Sequence, residues 1–312
     1  MINPLISIMI PTWNRDESVL DIVKVVNKSL IQDIEIVIVD NNSDEKFFRF
    51  IESNIKSFPN VRLYRNNENI GMTPNWNKCI QYSKGEWLGL ICSDDIYKQS
   101  AIPRVREIIK TLGEPGLIIQ SPHLKVDIDY LPKGYQTVNN IELPIASGQF
   151  WHRSISEQLG GFNETIKYSP DAEYWFRIAY SYPVVRVQEA FAEYREHNDN
   201  YMWETLRKDD YIQQNILLSR ILLNYKTTPE LAMNDEYIDQ CLDQSLKGTI
   251  YSILNSSFLK KGKSDIFFKY LKFLNEISKS PIQKISIFIV LASIINGTIM
   301  RLLGKFKKLI LR

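Results

Sequence analysis

At 312 residues, with 44% hydrophobic and 24% charged, the chain is not of the disordered class and exceeds an ordinary single domain. One large domain with an appendage is expected. The formal charge of +2 hides an asymmetry, because Ser257–Arg312 holds twelve Lys/Arg against two acids, so the tail is +10 and the remainder −8.

Strand patterns fall at Leu5–Ile10, Ile34–Val39, Val61–Tyr64 and Trp87–Ile91, with helical patterns between them at about Asp16–Leu30, Asp44–Lys56 and Thr73–Ser83. Near-continuous Ile/Val runs separated by helices predict an α/β fold, a parallel sheet covered on both faces. Thr73 is expected to cap its helix, with Pro74 at the first position. A helix follows at about Ser100–Leu112, ended by Gly113 and Pro115, and then a strand at Leu117–Gln120. Ser121–Pro144, punctuated by Pro122, Pro132, Gly134 and Pro144, reads as a loop-rich insert. Regular structure resumes at Ile145–Trp151, with a short helix around Ser154–Leu159 and another from about Pro170 to Tyr180. Strands at Val184–Val187 and Ala190–Tyr194 finish the domain, and beyond Asn200 the pattern is helical.

Cys79, Cys92 and Cys241 are an odd number at unrelated spacings; they form no metal pattern and fit a reduced, cytoplasmic setting. The N-terminus enters a strand at once, with no basic n-region, apolar h-region and cleavage site, so no secretory signal is expected.

Three of the strands end in polar, hydrogen-bonding residues: Pro11-Thr12-Trp13-Asn14-Arg15, Asp40-Asn41-Asn42-Ser43 and Ser93-Asp94-Asp95. Three such ends within the first 95 residues predict a ligand at the carboxyl edge of the sheet. Adjacent carboxylates are costly in a core and useful at a rim, where they face a hard cation and the phosphates it carries.

Further motifs follow in order: Arg65-Asn66-Asn67-Glu68-Asn69-Ile70-Gly71, Leu159-Gly160-Gly161-Phe162, Asp171-Ala172-Glu173-Tyr174-Trp175 and Tyr194-Arg195-Glu196-His197. In these residues the chain resembles the inverting glycosyltransferases of family 2, over roughly residues 5–200. The resemblance implies the GT-A fold, Rossmann-like and mainly parallel with helices on both faces. It implies a catalytic domain at 1–200, with a nucleotide-sugar half to about 120 and an acceptor half from 121. A helical region at 201–312 follows.

By this resemblance Pro11, Thr12, Asn14 and Arg15 wrap the nucleotide, the alternative being a plain turn in which Asn14 or Asp16 caps the helix. Asp40 accepts from a base ring N–H; uracil and thymine N3–H fit, guanine N1–H is possible, and an Asx turn with Asn41 and Ser43 is compatible with either. Asn69, Asn77 and Lys78 are placed toward the donor. Ser93 and Asp94 border ribose or sugar, and Asp95 binds Mg²⁺ or Mn²⁺, with His197 a further metal or diphosphate contact or a structural histidine. The family usually has Glu-Asp where this chain has Pro170-Asp171, and Asp171 is the implied catalytic base for the acceptor hydroxyl. Its structural alternative is a first-turn aspartate on the helix dipole.

The implied reaction moves a sugar from a nucleotide-diphosphate donor, UDP-sugar favoured, to a glycan or lipid-linked acceptor with inversion. No nucleic-acid partner is expected. Two other readings stay open. A sugar nucleotidyltransferase would share the sheet, although no Gly-rich phosphate loop follows the first strand. A non-catalytic nucleotide-sugar binding protein would need Asp40, Asp94 and Asp95 but not Asp171.

Ile285–Met300 carries no charge, yet it is shorter than the ~20 apolar residues of a spanning helix and contains Asn296, Gly297 and Thr298. A helix buried on the catalytic domain and a membrane-associated one both fit it. Arg301–Arg312 interleaves basic and apolar residues, as in a segment lying on an anionic membrane surface. The enzyme is therefore expected to be peripheral on the cytoplasmic face.

Overall fold

A computed structural model describes residues 4–29, 32–134, 146–195, 210–229 and 231–242. They belong to two compact units. The first unit is built on β1 (Ile6–Thr12) and β2 (Ile34–Asp40), in which every residue is buried. Burial on both faces is what a predominantly apolar strand encodes, and only Ser7, Thr12, Glu35 and Asp40 are polar in these two. β1 lies between β2 and β4 (Trp87–Leu90), parallel to both, and β3 (Val61–Arg65) extends the parallel set beyond β2.

Alternation of side chains sorts these strands onto two cores. Ile6, Ile8 and Ile10 join Val19, Val23 and Val26 of α1 (Glu17–Lys28) on one face. Met9, Val37, Val39 and Leu88 join Trp76 and Cys79 of α3 (Met72–Tyr82) on the other. Each fully buried Ile or Val contributes about 1.5–3 kcal/mol. α2 (Glu45–Asn54) connects β2 to β3. Pro11 lies past the last β1–β4 pair, Met9 with Leu90, where its missing N–H deprives no partner.

The rest of the unit comprises β5 (Ile96–Tyr97), α4 (Ala101–Leu112), β6 (Leu117–Gln120), β7 (Ile128–Leu131), β8 (Gln149–His152), α5 (Arg153–Leu159), α6 (Pro170–Ser181), β9 (Val184–Val187) and β10 (Ala192–Glu193). The large sheet has the order β3-β2-β1-β4-β8-β6-β9-β7. It is mainly parallel, but β8 runs antiparallel to β4 and β6, and β7 antiparallel to β9. β5 and β10 form a separate antiparallel pair.

Three expectations are corrected here. Part of the stretch read as a loop-rich insert is strand β7, an edge strand whose register sets Asp129 opposite Arg186. Arg186 Nε donates to Asp129 Oδ2 at 3.1 Å, so a cross-strand charge pair supplies what a short apolar pattern did not. The expected strand at Ala190–Tyr194 shrinks to Ala192–Glu193 and leaves the main sheet. Thr73 does not cap α3: the helix begins at Met72 after Gly71, and the Thr73 hydroxyl donates to the Ile166 carbonyl at 3.0 Å.

The second unit contains α7 (Asp210–Asn224) and helical residues 235–242. Asn234 Oδ1 accepts the Tyr237 N–H at 2.8 Å as an N-cap, and Lys226 pairs with Asp235 at 2.7 Å. No helix among the described residues is long and apolar enough to cross a membrane. The Ile285–Met300 and Arg301–Arg312 segments lie outside the described residues.

Candidate active site

The parallel register brings Thr12 beside Asp40 and ends β4 just before Ser93, so the three polar strand ends share one edge of the sheet. The β1 turn needs Asn14 at φ 49°, a left-handed conformation that Asn tolerates better than most residues. Asn14 N–H donates to Ser43 Oγ at 2.8 Å and its Oδ1 accepts the Asp44 N–H at 2.9 Å, which locks the first strand end to the second. Capping of α1 falls to Asp16, which accepts from the Glu17 N–H. Thr12 Oγ1 is buried without a hydrogen-bond partner among the described residues. Arg15 Nη2 reaches Asp94 Oδ2 at 3.5 Å, joining the first strand end to the third.

Asp40 is fully buried. Its carboxylate accepts from the Ser43 N–H at 3.1 Å and from the Ser43 hydroxyl, an Asx turn, and pairs with Arg65 Nε at 3.4 Å. Arg65 also binds Glu45 at 2.6 Å and the Ser43 carbonyl at 2.7 Å. Asn41 then ties this turn to the next loop. Its Nδ2 donates to Asn69 Oδ1 at 2.9 Å, and its Oδ1 accepts from Asn66 Nδ2 and the Ile70 N–H, both at 3.0 Å. Asn69 is exposed, and its Oδ1 also accepts the Gly71 N–H at 3.0 Å.

Asn77 and Lys78, which the resemblance places toward the donor, make contacts within the protein. Asn77 Nδ2 donates to the Phe162 carbonyl at 2.9 Å and to Glu164 Oε1 at 2.8 Å, and its Oδ1 accepts the Phe162 N–H at 2.9 Å. It is a strut between α3 and the Gly161-Phe162 turn, where a Cβ on residue 161 would collide with the Asn77 amide. Lys78 turns along α3 to Gln81 Oε1 at 2.9 Å and lies over the Tyr82 ring.

Ser93 is buried, and Asp94 keeps 27% of its side chain exposed. Asp95 is buried; burial, with the charge of Asp94 beside it, raises its carboxyl to about 6 against bonds from Ser147 and Arg195 that act the other way. Those bonds run from the Ser147 hydroxyl to Oδ2 and from the Arg195 N–H to Oδ1, the latter at 3.3 Å. Tyr194-Arg195 therefore runs beside Asp95, while Glu196 and His197 lie outside the described residues.

Asp171 sits in the first turn of α6, behind Ser169 at φ 56° and Pro170. It is half-buried, and burial raises its carboxyl to about 6, opposed by its own backbone N–H and that of Ala172. The helix is fixed by a buried ion pair. Glu173 is bidentate to Arg177, and Arg177 also donates to the Leu159 carbonyl at 2.5 Å and the Gly161 carbonyl at 2.7 Å. Glu173 is thus an anchor for Asp171 and not a second candidate base. Cys92 links the carboxylates: burial pushes its thiol up, and the charges of Asp95, Asp94 and Asp171 push it further. Asp171 and the Ser93-Asp94-Asp95 turn are therefore within electrostatic reach of one thiol.

Oxygen donors at Asp94 and Asp95 suit a hard divalent cation, and the raised Asp95 carboxyl marks negative charge held in a poorly solvated place. Among the described residues no three His, Cys, Asp or Glu gather as a ready cage. Mg²⁺-type sites commonly use one or two carboxylates and take the remaining ligands from phosphates and water. The donor set fits that pattern. Ser147, Gln120 and Gln149, which support Asp95, escaped sequence reading because no motif or period marks a hydroxyl 52 residues away.

The glycosyl transferase family 2 model matches residues 7–167, more than half of the chain. An uncharacterised glycosyltransferase of Rickettsia typhi is 24% identical over 217 residues, 63% of this chain and 65% of the relative. Chondroitin synthase of Escherichia coli is 22% identical over 247 residues, 74% of this chain but 35% of the synthase. The chain thus spans less than two thirds of these relatives. S. aureus TarS 1–349 superposes with a TM-score of 0.66 at 15% identity, covering 86% of this chain and 79% of that one. The mannosyltransferase PcManGT of Pyrobaculum calidifontis, in complex with GDP-Man and Mn²⁺, gives 0.60 at 14% identity, covering 96% and 81%. At these identities the likeness establishes the fold, which is GT-A. The chain belongs to glycosyl transferase family 2.

Proposed function

We propose that this protein is an inverting glycosyltransferase that moves a sugar from a nucleotide-diphosphate donor, UDP-sugar favoured, to a hydroxyl of a glycan or lipid-linked glycan. The single observation that carries the reading is the shared carboxyl edge of β1, β2 and β4, where Thr12 lies opposite Asp40 and Arg15 reaches from the first strand end to Asp94, beside Asp95. Support for the donor comes from S. aureus TarS in complex with UDP-GlcNAc, a chain of the same fold. The orphan Thr12 hydroxyl, buried beside Asp40, is suited to a base or ribose contact.

Asp95, with Asp94 beside it, would hold Mg²⁺ or Mn²⁺, and His197 is a further proposed contact. When bound, the cation offsets the negative charge that grows on the departing diphosphate. Arg15 would turn from Asp94 to the phosphates. Asp171 takes the proton of the acceptor hydroxyl as that oxygen attacks the anomeric carbon opposite the leaving phosphate. A carboxyl titrating near 6 is ionised at neutral pH, yet more basic than an ordinary aspartate. Residues 1–120 are proposed as the nucleotide-sugar half, 121–200 as the acceptor half and 201–312 as an accessory helical region.

The test is transfer from a panel of nucleotide-sugars, with Mn²⁺ and with EDTA. Activity that requires the metal and vanishes in Asp95→Ala is expected; activity untouched by both treatments would overturn the metal assignment.

The basic, apolar Arg301–Arg312 segment supports peripheral attachment at the cytoplasmic face, close to a lipid-linked acceptor. Flotation with anionic liposomes is expected to fail for a chain ending at Met300 and to fall with salt for the full chain. Equal, salt-insensitive flotation of the two contradicts this role.

A further inference from the structure

Asp95 is held from two sides, and one holder is a side chain outside every motif. Ser147 is fully buried on the turn before β8. Its Oγ accepts the Cys92 N–H at 2.8 Å and donates to Asp95 Oδ2. Because Cys92 supplies the incoming hydrogen, the hydroxyl proton is directed at the carboxylate. One hydroxyl thereby connects the Cys92 N–H, just past β4, to the carboxylate three residues later.

The Ser147 turn is itself fixed. Gln149 Nε2 and Gln120 Nε2 donate to the Ser147 carbonyl at 3.0 and 3.3 Å, and the Gly148 N–H donates to the Leu90 carbonyl at 2.8 Å. Gly148 has φ 81°, and a Cβ there would meet Gln120 Oε1 at 2.9 Å, so the turn admits little else. Gln120 Oε1 also accepts the Phe191 and Ala192 N–H groups at 2.7 and 2.8 Å. The same glutamine therefore fixes the strand leading to Arg195, the second holder of Asp95.

We propose that Ser147 is a positioning residue for the cation site, orienting the Asp95 carboxylate so that its remaining lone pairs face the metal. This rests on the reading of Asp95 as a metal ligand. Partners that orient a ligand typically change metal affinity by about 10–100-fold when removed.

The experiment is a Mn²⁺ titration in the presence of UDP, reading free Mn²⁺ by electron spin resonance. The proteins are the full chain, Asp95→Asn, Ser147→Ala and Ser147→Thr, each checked for folding by thermal melting. The expected result is loss of binding in Asp95→Asn, ~10-fold or more weakening in a folded Ser147→Ala, and affinity within about threefold of the parent in Ser147→Thr. Parent-like affinity in Ser147→Ala, with Asp95→Asn lost, overturns the Ser147 proposal and leaves the metal reading standing. Parent-like affinity in Asp95→Asn overturns both. If Ser147→Ala does not fold, Ser147→Gly, which also lacks the hydroxyl, decides: ~10-fold or more weakening in a folded protein supports the hydroxyl's role, and parent-like affinity overturns it.

Discussion

The β1–β4 half and the β6–β10 half build the site by different means. In the first, Thr12, Asp40 and the Ser93-Asp94-Asp95 turn arrive at one edge because parallel strands joined by helices end together. In the second, groups arrive across long separations: Ser147 meets Asp95 across 52 residues and Arg195 across 100. The first half is a scaffold whose chemistry follows from topology. The second depends on individual polar contacts, so single substitutions should separate the two.

The largest stability effect is expected at the anchor of α6. Glu173→Gln leaves Arg177 buried without its carboxylate, and breaking a buried pair costs about 3–5 kcal/mol. Chemical denaturation should register that loss, whereas Arg49→Ala, in the exposed Glu45–Arg49–Glu52 cluster of the first half, should leave the midpoint unchanged. Equal effects would erase the contrast between the halves.

A smaller effect is expected at the junction between them. Asn77→Ala removes the strut from α3 to the Gly161-Phe162 turn and should cost about 1–3 kcal/mol while leaving the KM for donor within about twofold. A large rise in KM with unchanged stability would return Asn77 to the donor contacts that the resemblance implied.

The sequence was most legible where burial and chain direction coincide. Apolar runs ending in Asp40 or Ser93-Asp94-Asp95 read as strands leaving a core and Pro170-Asp171 as a helix start, and there lie β2, β4 and α6. Legibility failed where a contact is set by a partner far along the chain. β7 is specified by Asp129 meeting Arg186, and Thr73 is drawn from its capping role by the Ile166 carbonyl. Glu173, two residues from the proposed base, is committed to Arg177, which its place in the sequence does not reveal. Ser147 carries no local mark at all, since its role exists only once β8 is inserted antiparallel to β4.

The central claim is that Asp171 is the base of a transfer reaction, and the most direct measurement is the pH–rate profile of the parent beside turnover of Asp171→Asn, at saturating Mn²⁺. With the cation held at Asp95 as proposed, saturating metal would keep that carboxylate ionised, so the profile would report the other. Because Asp171 acts only when ionised and titrates near 6, kcat/KM should fall tenfold per pH unit below about 6 and level off above it. Asp171→Asn should bind UDP within a few-fold of the parent, turn over ~10²-fold or more slowly, and lose that acid limb. A variant that turns over at the parental rate with the same acid limb would contradict the account.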